Sequence, residues 1–165
     1  MTGADYRIEV FPLVDDARGR VLAERMKGRG YPVTSAILCD NYLVHGDLNA
    51  DEADRVARAL TQTVVQGYTV NRPHVPDRFA FAIEIGFLPG VTDNVAHTVR
   101  ETIGDLLKRD LDPEKSVFSS VTCFIDGDLD RSHAEGVAAE LYNPLIQRAR
   151  VLSRTEYLEQ GGMGR

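Results

Sequence analysis

The chain opens on an alternation in which Tyr6, Ile8 and Val10 are apolar and Arg7 and Glu9 are charged. A period of two residues predicts a strand with one buried face. The signal returns more strongly later, where Phe79, Phe81, Ile83, Ile85 and Phe87 line one face and Ala80, Ala82, Glu84 and Gly86 the other. After each strand the period lengthens to that of a helix. Val95, Val99, Ile103 and Leu106 form a stripe behind an Asp93 cap, with Lys108 and Arg109 near the C-terminal carbonyls. A shorter stripe, from about Ala17 to Lys27, runs out at Gly28 and Gly30.

Two pairs of strands are expected next, Val33–Ile37 with Asn41–His45 and Val117–Val121 with Thr122–Asp126. A helix opens at Asn49, with Glu52 three residues on as its capping-box partner, and Asp130 takes the cap position in a later counterpart. Val64–Val70 and Leu145–Leu152 read as closing strands. The pattern is therefore β-α-β-β-α-β, written twice, and the fold class it predicts is α+β with helices on one sheet face.

The two passages match in sequence as well as in period. Ile8-Glu9 corresponds to Ile83-Glu84, and Gly46-Asp47-Leu48 returns as Gly127-Asp128-Leu129. Ala53, Val56, Ala57 and Leu60 reappear as Ala134, Val137, Ala138 and Leu141, and Gln66 and Val70 as Gln147 and Val151, all at an offset of 81. Small insertions at Leu88-Pro89-Gly90 and near Asp110–Glu114 complete the alignment. The organisation this predicts is a first repeat over 1–72, a linker over 73–78 marked by Pro73 and Pro76, a second repeat over 79–155, and a flexible tail over 156–165. A unit of about 70 residues has a marginal core, so the repeats are expected to pack their apolar faces together as a pseudo-twofold dimer.

Composition narrows the class of function. Nineteen basic against 25 acidic side chains give a formal net charge of −6 with no Lys/Arg cluster, a balance that argues against nucleic acid and acidic membranes as partners. No apolar run approaches the roughly 20 residues of a membrane span. Met1–Tyr6 lacks a basic and then apolar leader, and two cysteines make no disulfide framework, so a cytoplasmic location is expected.

Candidate chemistry is sparse. Cys39 and Cys123 sit in no glycine-rich elbow and read as strand or core residues. His45, His74, His97 and His133 have no metal-ligand spacing; His45 reads as a surface turn, His74 as linker, and His97 and His133 as helical. Gly161–Arg165 is glycine-rich, but no helix follows to make it a phosphate cradle. The Gly46-Asp47 and Gly127-Asp128 carboxylates stand without a base or nucleophile beside them. No catalytic, cofactor-binding or metal-binding residue is assigned.

Several segments resemble a known family. Tyr6–Pro12 (Tyr-Arg-Ile-Glu-Val-Phe-Pro), the Asp15–Gly19 turn into a helix and the Gly28–Tyr31 exit are similar to PurS, the small subunit of phosphoribosylformylglycinamidine synthase. Asn143-Pro144-Leu145-Ile146-Gln147 is similar to the family's Asn-Pro signature before its last strand, Thr63–Gln66 is a version without the Asn-Pro, and Val91–Asn94 resembles a family turn. The chain carries Asp40-Asn41 where the single-repeat form has a Gly-Lys pair. Tandem copies resemble the N-terminal region of larger synthases, and the glycine-rich tail fits a linker into a catalytic part.

The resemblance implies a non-catalytic component in the fourth step of purine biosynthesis, where ATP and glutamine convert formylglycinamide ribonucleotide to its amidine. Its implied partners are a large amination subunit, which binds ATP and Mg²⁺, and a glutaminase subunit that supplies ammonia; the chain itself is expected to need no cofactor. The Asp15–Gly19 loop and the Arg148/Arg150 strand face are candidate contact surfaces, although each reads first as a solvated surface. An alternative is an ACT-like regulatory pair binding a small molecule between the repeats, for which Leu88–Val91 is a partial glycine turn.

Overall fold

In the computed structural model, which describes residues 4–112 and 116–164, six strands form one antiparallel sheet and five helices accompany it. The order along the chain is β1 (Ala4–Pro12), α1 (Ala17–Gly28), β2 (Val33–Gly46), α2 (Ala50–Ala59) and β3 (Gln66–Val70). Then come β4 (Phe81–Phe87), α3 (Asn94–Leu107), β5 (Val117–Gly127), α4 (Arg131–Leu141), β6 (Gln147–Ser153) and α5 (Arg154–Glu159). In the sheet the strands lie in the order β3-β1-β2-β5-β4-β6. The class is α+β.

The helix starts are where the caps place them. Asn49 accepts from the Glu52 amide and Glu52 returns the bond, closing a capping box on α2. Asp93 and Asp130 accept from the Ala96 and His133 amides at the starts of α3 and α4.

The expected strand pairs are not pairs. Residues 33–46 run as one strand, and so do residues 117–127, which reduces each half from β-α-β-β-α-β to β-α-β-α-β. A hairpin needs a turn with glycine or asparagine at positive φ, and Leu38-Cys39-Asp40 supplies none. Asp40 is held inside the strand because it faces α1, where Arg18 binds its carboxylate at 2.9 and 3.1 Å. The halves do not stack sheet on sheet either. They join edge to edge through β2 and β5, with Val44 opposite Val117 at one end and Ile37 opposite Phe124 towards the other.

The registers of the two outer parts correspond. Ile8 faces Tyr42 on β2 and Val70 on β3; Ile83 faces Cys123 on β5 and Val151 on β6, each 81 positions after Tyr42 or Val70. The turns into the last strands also correspond. Gln66 N donates to Gln62 O and Gln147 N to Asn143 O, both at 2.8 Å, while the glutamine side chains accept from Gln62 N and Asn143 N.

Helices α1 to α4 cover one face of the sheet, in two clusters that cross between halves. Tyr6, Ile8 and Val10 of β1 pack with α2 and with Val99 and Ile103 of α3. Ile83 of β4 and Ile125 of β5 pack with α4 and with Leu22 and Met26 of α1. Thus α1 serves the core of the second half and α3 that of the first. Surface pairs follow the same crossing: Arg109 binds Glu52 at 2.5 Å, and Arg29 lies 3.0 Å from Glu140.

The opposite face is covered by the linker and the end of the chain. Phe79, expected to open the Phe79–Phe87 stripe, precedes the strand and turns to this side, where it joins Cys39, Ala82, Phe124, Leu152, Tyr157 and Met163. Residues 156–164, expected as a flexible tail, are folded here. Tyr157 of α5 is buried and donates to His74 O at 2.6 Å, and Gly162 (φ 100°) lies against Pro73. The insertion near Asp110–Glu114 falls partly on residues 113–115, and the last tail residue is 165; these lie outside the described residues.

Candidate functional site

Two features bring polar or accessible groups together. The first is an ionic network on the linker-covered face. Because side chains alternate along a strand, Arg7, Glu9, Asn41, Ser120, Thr122 and Glu84 all project to this side, opposite the helices. Arg7 Nε donates to Glu9 at 2.6 Å and Arg7 Nη2 to Glu84 at 2.6 Å. Asn41 Nδ2 reaches Thr122 Oγ1 at 2.7 Å and Ser120 Oγ at 3.2 Å, and Ser120 donates to Glu84 at 2.9 Å. The His74 amide donates to the second oxygen of Glu9, so the linker closes over the network.

Arg7 and Glu9 are 8% and 4% exposed, so the pair is held away from water. Burial alone lowers the pKa of Arg7; Glu84 and Glu9 outweigh it and raise the value above that of a free guanidinium. The ring of His74 stacks on Phe11 with centroids 3.7 Å apart and meets Phe124 edge-on. That burial pushes its pKa down to about 4, so the ring is neutral near pH 7.

The second feature is a cleft of about 710 Å³ on the helical face. Its floor is Leu38, Ile85, Val121 and Cys123, and α1 forms one wall through Val21 and Leu22. Val95 at the start of α3 and Leu141 at the end of α4 close the other side. The register accounts for the space: Tyr42, opposite Ile8, packs a ring against the first core, while Cys123, opposite Ile83, offers only a thiol.

The residues considered from sequence are scattered. Cys39 lies on the linker side of the sheet and Cys123 under the cleft, both buried; burial pushes the Cys39 thiol well up and the Cys123 thiol up to about 12. His45 is inside β2 rather than in a turn, 2.6 Å from Asp5 and edge-on to Phe118. His97 pairs with Glu101 along α3, and His133 belongs to the α4 capping box. Asp47 and Asp128 are exposed and far apart in the fold, at the ends of β2 and β5. Among the described residues no group of three His, Cys, Asp or Glu side chains could hold a metal ion.

Of the singled-out contact surfaces, Asp16 caps α1 and Gly19 is buried within it, while Arg148 and Arg150 are exposed and Arg150 donates to Met163 O. The ionic network was missed in the sequence because its bonded members lie up to 81 positions apart. Its one sequence signal is a charged pair within a strand whose two faces are both buried. No helix among the described residues is long and apolar enough to cross a membrane. No family model matches the chain, and no curated protein matches it.

Proposed function

We propose that the chain is a tandem PurS-like component of phosphoribosylformylglycinamidine synthase, acting in the cytoplasm as a non-catalytic bridge between the amination and glutaminase parts. The observation that carries the tandem reading is the equality of registers: the alignment offsets that match Ile8 with Ile83 and Val70 with Val151 also relate the strand pairings on the two sides of the sheet. At the centre, Asp40 faces Val121, the residue 81 positions after it, as a pseudo-twofold axis through that pair requires. The shared turn chemistry at Gln66 and Gln147 adds to this, since it persists where the first copy lacks the Asn-Pro. The synthase assignment itself rests on the PurS-like motifs and their order along the chain.

A bridging role suits what the side chains offer. Both thiols are buried and protonated near pH 7, and the carboxylates of the central network are held by Arg7. Such a network fixes the relation of two halves rather than moving protons to a substrate. The chemistry of the reaction, activation by ATP and release of ammonia from glutamine, then belongs to the partners.

Coexpression with cognate amination and glutaminase components tests the proposal. A ternary complex on size-exclusion chromatography in saturating ADP, Mg²⁺ and glutamine is expected, with ammonia transfer dependent on this chain. Clean separation of all three components under those conditions overturns it.

A further inference from the structure

The cleft on the helical face is a chemically biased cavity. At about 710 Å³ it lies in the range of small-molecule sites, which combine apolar walls with a few placed polar groups. Its apolar surface comes from Val21, Leu38, Ile85, Val121 and Cys123, and its charged lining residues are Arg18 and Arg25, two turns apart on α1.

The negative groups around it are already held. Asp40 is bound by Arg18 and Asp93 by the Ser119 amide and hydroxyl, while Glu84 lies on the opposite face of the sheet, bound by Arg7 and Ser120. Glu140 gives its carbonyl to Arg25 while its carboxylate lies 3.0 Å from Arg29. Arg18 is therefore neutralised by its pair, whereas among the described residues Arg25 has only a carbonyl contact at 3.2 Å and leaves the rim positive. A ligand with an ammonium group finds no carboxylate waiting for it, which disfavours a free amino acid. A wholly apolar ligand leaves Arg25 unused.

We infer that this cleft binds a small amphipathic monoanion, with its apolar body over Leu38, Val121 and Cys123 and its anionic head at Arg25. The lining comes from both halves, α1 and Leu38 from the first and Ile85, Val121 and Cys123 from the second. Where Cys123 leaves room beneath α1, the corresponding strand position in the other half carries the Tyr42 ring. The inference goes beyond a bridging role and does not depend on the synthase partners.

Decanoate serves as the probe, titrated into the isolated chain by calorimetry, with 1-decanol as its uncharged counterpart. Saturable binding of one decanoate per chain is expected, with decanol weaker. Arg25→Gln is expected to weaken decanoate about tenfold, the scale of a lost charge-assisted hydrogen bond. Cys123→Tyr, which places in the cleft the side chain found at the matching position, is expected to abolish binding while retaining the native circular dichroism. Should Cys123→Tyr not fold, methyl NMR shifts in the wild-type chain decide: movement at Val21, Leu38, Ile85 and Val121 supports the site, and movement elsewhere overturns it. No saturable binding, or equal affinity for decanoate and decanol, also overturns it. So does protection of this cleft only by a protein partner, seen by hydrogen exchange in a coexpressed complex.

Discussion

The guanidinium of Arg7 on β1 lies 2.6 Å from the carboxylate of Glu84 on β4, although β2 and β5 run between those strands. Three strand spacings are about 14 Å, so the extended arginine and glutamate lie along the sheet surface and span its centre. With Glu9 at 2.6 Å on the other side, one cation serves two carboxylates, one from each half.

Removing that cation leaves the buried Glu9 and the half-buried Glu84 without a counter-charge. Arg7→Met is expected to cost about 3–5 kcal/mol, the range for breaking a buried ion pair from one side. Urea unfolding measures it, and a loss below about 1 kcal/mol would show that water already reaches the network. Glu84→Gln keeps a hydrogen-bond acceptor for Arg7 and Ser120, so it is expected to cost less than Arg7→Met.

His74 sets a pH dependence of its own. Its pKa falls from 6.5 in the unfolded chain to about 4 in the folded one, because burial disfavours the imidazolium. Below pH 6.5 the unfolded state takes the proton first, so this contribution to stability is full above 6.5 and is lost as pH falls towards 4. Wild-type urea midpoints are expected to decline across that window. In His74→Phe, which keeps the stack on Phe11, the decline is expected to be shallower; an identical profile removes His74 from the account.

How much of this was legible follows from the range over which each feature acts. Caps such as Asn49 with Glu52 act within one turn, so sequence alone located them. The alternation from Phe81 to Phe87 is equally local. Asp40 broke the expected strand because a lone charge at an inward position has no local explanation; its partner Arg18 lies 22 positions earlier on a helix. The cleft depends on α1 crossing to the second half, and the ionic network on strands paired at long range. Neither leaves a periodic trace.

The chain end shows the same limit. Arg154–Glu159 is too short to announce itself as a helix, yet Ser153 and Glu156 form a capping box and Tyr157 fills a gap between Phe79 and Phe124. Tyr157→Ala is expected to destabilise the fold by about 3–5 kcal/mol through lost burial and a cavity. Tyr157→Phe keeps the ring and loses only the bond to His74 O, so about 1 kcal/mol is expected. Thermal or urea unfolding of the two variants separates packing from hydrogen bonding. Equal small losses would mean that the segment contributes little to the folded core.

Gly19 tests how closely α1 must approach the sheet. A Cβ at this position would stand 2.1 Å from the carbonyl oxygen of Ala36, an atom of β2 backbone that cannot rotate away. Gly19→Ala must therefore push the helix outward, and a loss of about 1–3 kcal/mol or more is expected from overpacking. Gly136 on α4 makes the contrast. A Cβ there meets the Tyr31 ring at 2.7 Å, but a side chain has room to swing that backbone lacks, and alanine favours the helix by about 1 kcal/mol. Gly136→Ala is expected to be close to neutral in the same melts. Because α1 carries Arg25 and the wall of the cleft, Gly19→Ala should also weaken decanoate binding, whereas Gly136→Ala should leave it unchanged. Equal behaviour of the two variants would mean that α1 is not seated on β2 as tightly as its glycine requires.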